Sequence, residues 1–235
     1  MSARAGAAEF LGSAGLAAVV VGSGIAAQTL SPGDVGLALF ENAFATALGL
    51  TVLILVFAPV SGAHFNPVVT LVDALSGGRP WRTVALYVPV QVAGCVTGAV
   101  LANAMFGVPT ALSTTDRATW PHLLAEVVAT AGLVLVIFAL VRTERAHLAA
   151  PAVGAYIGAA YFFTSSTSFA NPAITVGRAV SDTFAGIAPA SVLPFIGAQL
   201  VGAVLAWLLV RALFPVADPD PAIVPDGSHS EAAAS

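Results

Sequence analysis

The sequence predicts an all-α membrane protein, an inverted repeat with six transmembrane helices and two re-entrant half-helices. Three observations carry this reading. Of 235 residues, 58% are hydrophobic and 9% charged, with a mean hydropathy of +0.93; soluble domains carry about 25% charged residues. Six segments reach the roughly 20 apolar residues that a span requires. Asn-Pro occurs twice in one setting, as Ser61-Gly62-Ala63-His64-Phe65-Asn66-Pro67-Val68 and as Ser168-Phe169-Ala170-Asn171-Pro172-Ala173. Each follows a long apolar segment and opens a stretch compatible with a short helix.

The spans are expected at about 8–28, 35–58, 81–106, 121–142, 149–168 and 189–214. The first follows Arg4 and could pass for a signal peptide, but it carries Glu9 and is one of a repeated set. The Asn-Pro segments, about 66–76 and 171–183, are too short to cross and too apolar for surface loops. Pro67 and Pro172 fit the first helical position, where a missing N–H costs nothing, and Asn66 and Asn171 fit the N-cap. Broken segments at matching places in two halves mark a site at the bilayer midplane.

The halves keep residual identity. Ala8-Glu9 followed by Ala14-Gly15-Leu16 recurs as Ala125-Glu126 followed by Ala131-Gly132-Leu133, and Gln91-x-x-Gly94 recurs as Gln199-x-x-Gly202. Three spans per half invert the second copy. The expected organisation is a channel domain over 1–214, with repeats at about 7–107 and 120–214, then a disordered acidic tail over 215–235. With the N-terminus inside, Arg4, Arg79, Arg82, Arg142, Arg145 and Arg211 are cytoplasmic while Arg117 and Arg178 are outside, which places both termini in the cytoplasm of a cell inner-membrane protein. Gly94-x-x-x-Gly98 suits close helix packing.

Other chemistries find little support. There is no Lys, so no phosphate-cradling Gly loop with a Lys, and no His/Cys metal cluster. The net charge of −4 owes much to the tail and argues against a nucleic-acid partner. Cys95 is the single cysteine and reads as a small buried hydrophobe, so no intrachain disulfide forms. No cofactor and no catalytic step are expected.

A half-helix N-terminus carries about +0.5 charge. Two of them facing each other at mid-membrane disfavour a cation or hydronium, while the Asn amides donate to a passing oxygen. Non-helical backbone at that depth needs partners within the protein. Glu9 and Glu126 are placed to accept N–H bonds from the loops before each half-helix; a proton-coupling role is the sharper alternative.

In these residues the chain resembles the aquaporin family (major intrinsic proteins) over roughly 7–214. The resemblance implies a right-handed bundle in the lipid bilayer and a homotetramer with one pore per subunit. It also implies that His64 lines the cytoplasmic side of the pore; a buried structural His is the alternative. Val68 stands where the family usually has Ala, and Ile174 where most members have the filter Arg. Alignment to the family suggests Leu48, Ala159 (or Gly158), Ser168 and Ile174 at the four filter positions, a set without His, aromatic ring or Arg and therefore wider and more apolar than a water filter. Arg178 lies one helical turn beyond Ile174 and Glu41 two turns outward of Leu48, so a Glu41–Arg178 pair at the outer mouth is expected, unless both merely mark the membrane boundary.

The run from Asn171 to Arg178, continuing from Ser181 to Pro189, resembles a bacterial branch often encoded in arsenic-resistance clusters. Some members are fused at the C-terminus to an arsenate reductase. The resemblance implies a passive channel for arsenite or antimonite hydroxides, with glycerol and water as further solutes. The rivals are an orthodox water or glycerol channel, an ion-coupled secondary transporter using Glu9 and Glu126, and an enzyme-docking membrane anchor.

Overall fold

The computed structural model describes residues 2–215. Beyond Pro215, the expected acidic tail lies outside the described residues. All regular structure among the described residues is helical. Six helices are long and apolar enough to cross a membrane: α1 (Ala3–Leu30), α2 (Val35–Ser61), α4 (Trp81–Met105), α5 (Trp120–Arg142), α6 (Ala149–Phe163, prolonged by the 3-10 turn Ala146–Leu148) and α8 (Pro189–Leu213). Two are short, α3 (Pro67–Leu75) and α7 (Pro172–Arg178).

Helix ends follow local chemistry. Ser2 and Asp34 cap α1 and α2 by accepting from the amides of Ala5 (3.3 Å) and Leu37 (2.9 Å). Gly62, at φ 91°, terminates α2 in the left-handed region that glycine adopts at little cost. Pro67 and Pro172 start the short helices behind their Asn caps. Three boundaries differ from expectation; the first span begins at Ala3, not 8, directly behind its Ser2 cap. The fifth span stops at Phe163, not 168, because Thr164 is extended and Thr167, Ser168 and Ala170 have positive φ. The second half-helix stops at Arg178, not 183, because the chain turns at Ala179 and Thr114 draws Asp182 away through bonds of 2.9 and 3.1 Å.

α1 packs on α4 as α5 packs on α8. A Cβ added at Gly94 or Gly98 would collide with the α1 backbone at Phe10 or Ala14, and one at Gly202 would collide with α5 at Val127. These glycines let the paired helices meet backbone to backbone. Each half-helix touches both repeats: α3 lies against α4, α5 and α8, and α7 against α1, α4 and α8. The outward surface is apolar, with Phe40, Phe44, Leu48 and Val52 forming one stripe along α2. Given the up-and-down order, both ends of the described chain lie on one face, here termed the terminal face.

Candidate functional site: a central conduit

The loops before the short helices carry unusual backbone. Ala63 and Phe65 have φ of 51° and 49°, and Ser168 and Ala170 have 50° and 48°. A non-glycine residue held there costs on the order of 1–3 kcal/mol. Buried carboxylates offset it. Glu9, fully buried, accepts from Ser61 Oγ (2.6 Å), His64 N (2.9 Å), Phe65 N (2.8 Å) and Gln91 Nε2 (2.8 Å). Glu126, equally buried, accepts from Phe169 N (2.9 Å), Ala170 N (2.8 Å) and Gln199 Nε2 (2.7 Å). Each Gln also donates to a Thr, Gln91 to Thr70 (3.0 Å) and Gln199 to Thr175 (2.9 Å). Each Thr hydroxyl donates to the backbone of its Asn, at 3.1 Å for Asn66 and 2.8 Å for Asn171. Sequence reasoning missed Thr70 and Thr175, although both stand four residues after an Asn-Pro asparagine.

The asparagines join the repeats. Asn66 Nδ2 donates to Ala170 O and Asn171 Nδ2 to Phe65 O, both at 2.8 Å. Their Oδ1 atoms cap their own helices, taking Val68 N at 3.0 Å and Ala173 N at 2.9 Å. One amide N–H of each Asn is thus spent across the repeat, and the second is left for the lumen that both residues line. Pro67, Val68, Pro172 and Ala173 are buried behind the caps, and Val68 belongs to an apolar cluster with Val134 and Ala203 and does not line the lumen.

A cavity of about 490 Å³ runs from Arg79 and His147 near the terminal face, past both asparagines, to Arg178 toward the opposite face. One wall is apolar, including Leu16, Val20, Leu50, Leu133, Ile137 and Ile157. His64 lines the cavity, its Nδ1 3.0 Å from Thr70 Oγ1.

The filter positions need correction. Ser168 and Ile174 line the cavity, and Ser168 Oγ has no protein partner. Leu48 does not line it: it is 54% exposed on the outward α2 stripe, while Thr46, two residues earlier, faces the lumen. Ala159 is exposed on the outer side of α6 and Gly158 packs toward Ala47 of α2, while Val153, Ile157 and Tyr161 form the inward face of α6. Thr46 Oγ1 and Tyr161 OH lie 3.2 Å apart. This part of the conduit also has a cation. Arg178 is 2% exposed, lines the cavity, donates through Nε to Ala185 O and stacks 3.4 Å above the Phe169 ring. Beside Ser168 and Ile174 the conduit is lined by Thr46, Tyr161, Phe169 and Arg178, so the expected set without aromatic ring or Arg does not describe it. The Glu41–Arg178 pair does not form; Glu41 accepts from Ser31 Oγ at 2.8 Å.

The loop that supplies Ala185 is anchored from outside the helices. Arg117 donates to Gly186 O (2.7 Å) and Phe184 O (3.1 Å), and its guanidinium lies 5.4 Å from the Phe169 ring. The bonds from Thr114 hold the Asp182 carboxyl below the usual carboxylate range.

The family model described as Major intrinsic protein matches residues 1–168. The chain is a major intrinsic protein. Aquaglyceroporin AqpS of Rhizobium meliloti (strain 1021) is 48% identical over 214 residues, covering 90% of this chain and 91% of that protein. Aquaporin NIP1-1 of Zea mays is 35% identical over 214 residues, covering 86% and 71%. The X-ray structure of the aquaglyceroporin from Plasmodium falciparum superposes with a TM-score of 0.69 at 19% identity, covering 89% of this chain and 96% of that one, a likeness of fold. As a major intrinsic protein the chain is a multi-pass membrane channel for small solutes and not an enzyme.

Proposed function

We propose that this major intrinsic protein passes small uncharged hydroxylated solutes down their gradients, foremost arsenite and antimonite hydroxides, with glycerol and water as further solutes. The observation that carries the reading is the reciprocal Asn66–Ala170 and Asn171–Phe65 stitch, at 2.8 Å on each side, at the centre of one conduit. Two half-helix N-termini meet there, and their like partial charges, about +0.5 each, oppose a cation or hydronium. The unused amide N–H groups and the free Ser168 hydroxyl suit a neutral oxygen-bearing solute sliding along the apolar wall. Arsenous acid has that chemistry: small, uncharged at neutral pH and bearing three hydroxyl groups. The 48% identity to a protein named as an aquaglyceroporin supports the solute class, and the resemblance of the Asn171–Arg178 run supports arsenite within it.

Glu9 and Glu126 act as scaffolding rather than ion-coupling groups in this reading, because every acceptor bond they make goes to the protein's own loops and glutamines. The orientation follows from Arg4, Arg79, Arg82, Arg142, Arg145 and Arg211, all at helix ends or in the connecting loops of the terminal face, which is thus cytoplasmic in the inner membrane. The apolar α2 stripe suits burial against neighbouring subunits of a homotetramer. The test is proteoliposome flux of arsenite, glycerol and water without an ion gradient. Rapid, non-concentrative arsenite entry is expected; fast water with no arsenite or glycerol entry returns the protein to the water-channel class, and dependence on an ion gradient to the transporter class.

A further inference from the structure

Between Asn66 and the terminal-face mouth lies a charged cluster with no counterpart in the second repeat. Asp73 Oδ2 is 3.3 Å from Arg79 Nε and 3.6 Å from His64 Nε2. Arg79 Nη1 donates to Tyr87 OH at 3.1 Å, and Tyr87 OH donates to Ser61 O at 2.9 Å. His64, Asp73 and Arg79 all line the conduit. The guanidinium lies so close to the end of α2 that a Cβ on Gly62 would strike Nη2.

The geometry points to Asp73 as a positioning residue that clamps Arg79 against the wall and so keeps the inner mouth open to neutral solutes. This rests on the channel reading. A long cation at a pore mouth has two destinations: folded onto the wall, or hydrated in the lumen. The Arg79 side chain is 33% exposed, so burial alone does not hold it, and the Asp73 side chain, at 19%, supplies the charge that does. The Tyr87 hydroxyl and ring also meet the guanidinium, the ring centroid lying 5.7 Å away. Removing the carboxylate leaves an unneutralised cation at the inner mouth, where it obstructs solutes and raises a positive barrier.

Asp73→Ala, Arg79→Ala and the double variant are compared in proteoliposomes for glycerol and water flux, with Asp73→Asn as a near-isosteric substitute should the alanine variant fold poorly. Asp73→Ala is expected to slow glycerol, by at most about fivefold, the limit set by losing a tether of about 1 kcal/mol. Arg79→Ala is expected to conduct at least as well as wild type, and the double variant to return to that rate. A purely structural Asp73 gives a different result, a double variant as slow as Asp73→Ala. That outcome, or an unchanged rate in Asp73→Ala, overturns the proposal. Arginine modification by phenylglyoxal, read by mass spectrometry, reports the clamp without any flux. Arg79 should react about fivefold faster in Asp73→Ala, and equal reactivity overturns the clamp whichever solute the channel carries. Absence of glycerol flux in wild type, with the reactivity difference intact, counts against the solute reading alone.

Discussion

The two repeats share a frame and differ in what they hang on it. In each, a buried Glu holds two loop amides, a Gln bridges that Glu to a Thr, the Thr returns to its Asn, and the Asn crosses to the other repeat. Positive φ recurs three residues and one residue before each Asn. The departures begin just outside that frame. Seven residues after its Asn, the first repeat has Asp73 and the second has Arg178. Asp73 clamps another cation at the terminal-face mouth, whereas Arg178 is itself the cation and folds onto Phe169 toward the opposite face. The duplicated network frames the conduit, and the non-duplicated positions give its two ends different side chains.

The strongest way to break the comparison is to remove its shared carboxylates. Glu9→Ala and Glu126→Ala each strand at least two buried loop amides, at about 1–3 kcal/mol apiece, so each variant should lose about 3–5 kcal/mol. Thermal unfolding in detergent checks this, and the Gln variants should lose less. A variant melting like wild type would mean that its loop is held by something other than the carboxylate.

The next effect lies where the repeats differ. Arg178→Ala removes a buried cation stacked on an aromatic face, a contact of about 2 kcal/mol, and should raise passage of polyols larger than glycerol roughly tenfold or more. Ile174→Arg should do the reverse by placing a second cation one turn from the first, and stopped-flow swelling with polyols of rising size resolves both. Unchanged glycerol-sized permeation in Ile174→Arg would remove Ile174 from the filter. The smallest effect is expected from Val68→Ala, which makes the two motifs alike. Val68 is fully buried, so the change costs about 1–2 kcal/mol of stability and should leave flux unchanged, as the paired stability and flux measurements would show.

Much of this was legible in the sequence. Asn-Pro in duplicate, Glu at matching places and Gln-x-x-Gly in register identify the half-helices and the acceptors that hold them, because such features depend on local chemistry and on repetition. Thr70 and Thr175 carried the same signal. What the sequence hid was which face of an almost wholly apolar helix looks inward. α2 is Leu, Val, Phe and Ala on nearly every side, so no polar stripe separates Thr46 from Leu48, and a shift of two residues turns the side chain outward. For Arg178 the lean of helical side chains toward the N-terminus already points it back into the pore; what stayed hidden was its partners, because Ala185 O and the Phe169 ring are set by irregular loops. The Asp73–Arg79 pair likewise depends on a loop folding back on α3.

The most direct test of the central claim, a neutral-solute conduit closed to ions by the paired asparagines, is arsenite and water flux in the same proteoliposomes for wild type and Asn171→Asp. Asn171→Asp replaces the N–H that reaches Phe65 O with a carboxylate facing that carbonyl. The account predicts rapid, non-concentrative arsenite entry in wild type that the variant loses. Arsenite entry that is as fast in the variant, or that occurs only with an ion gradient, would contradict it.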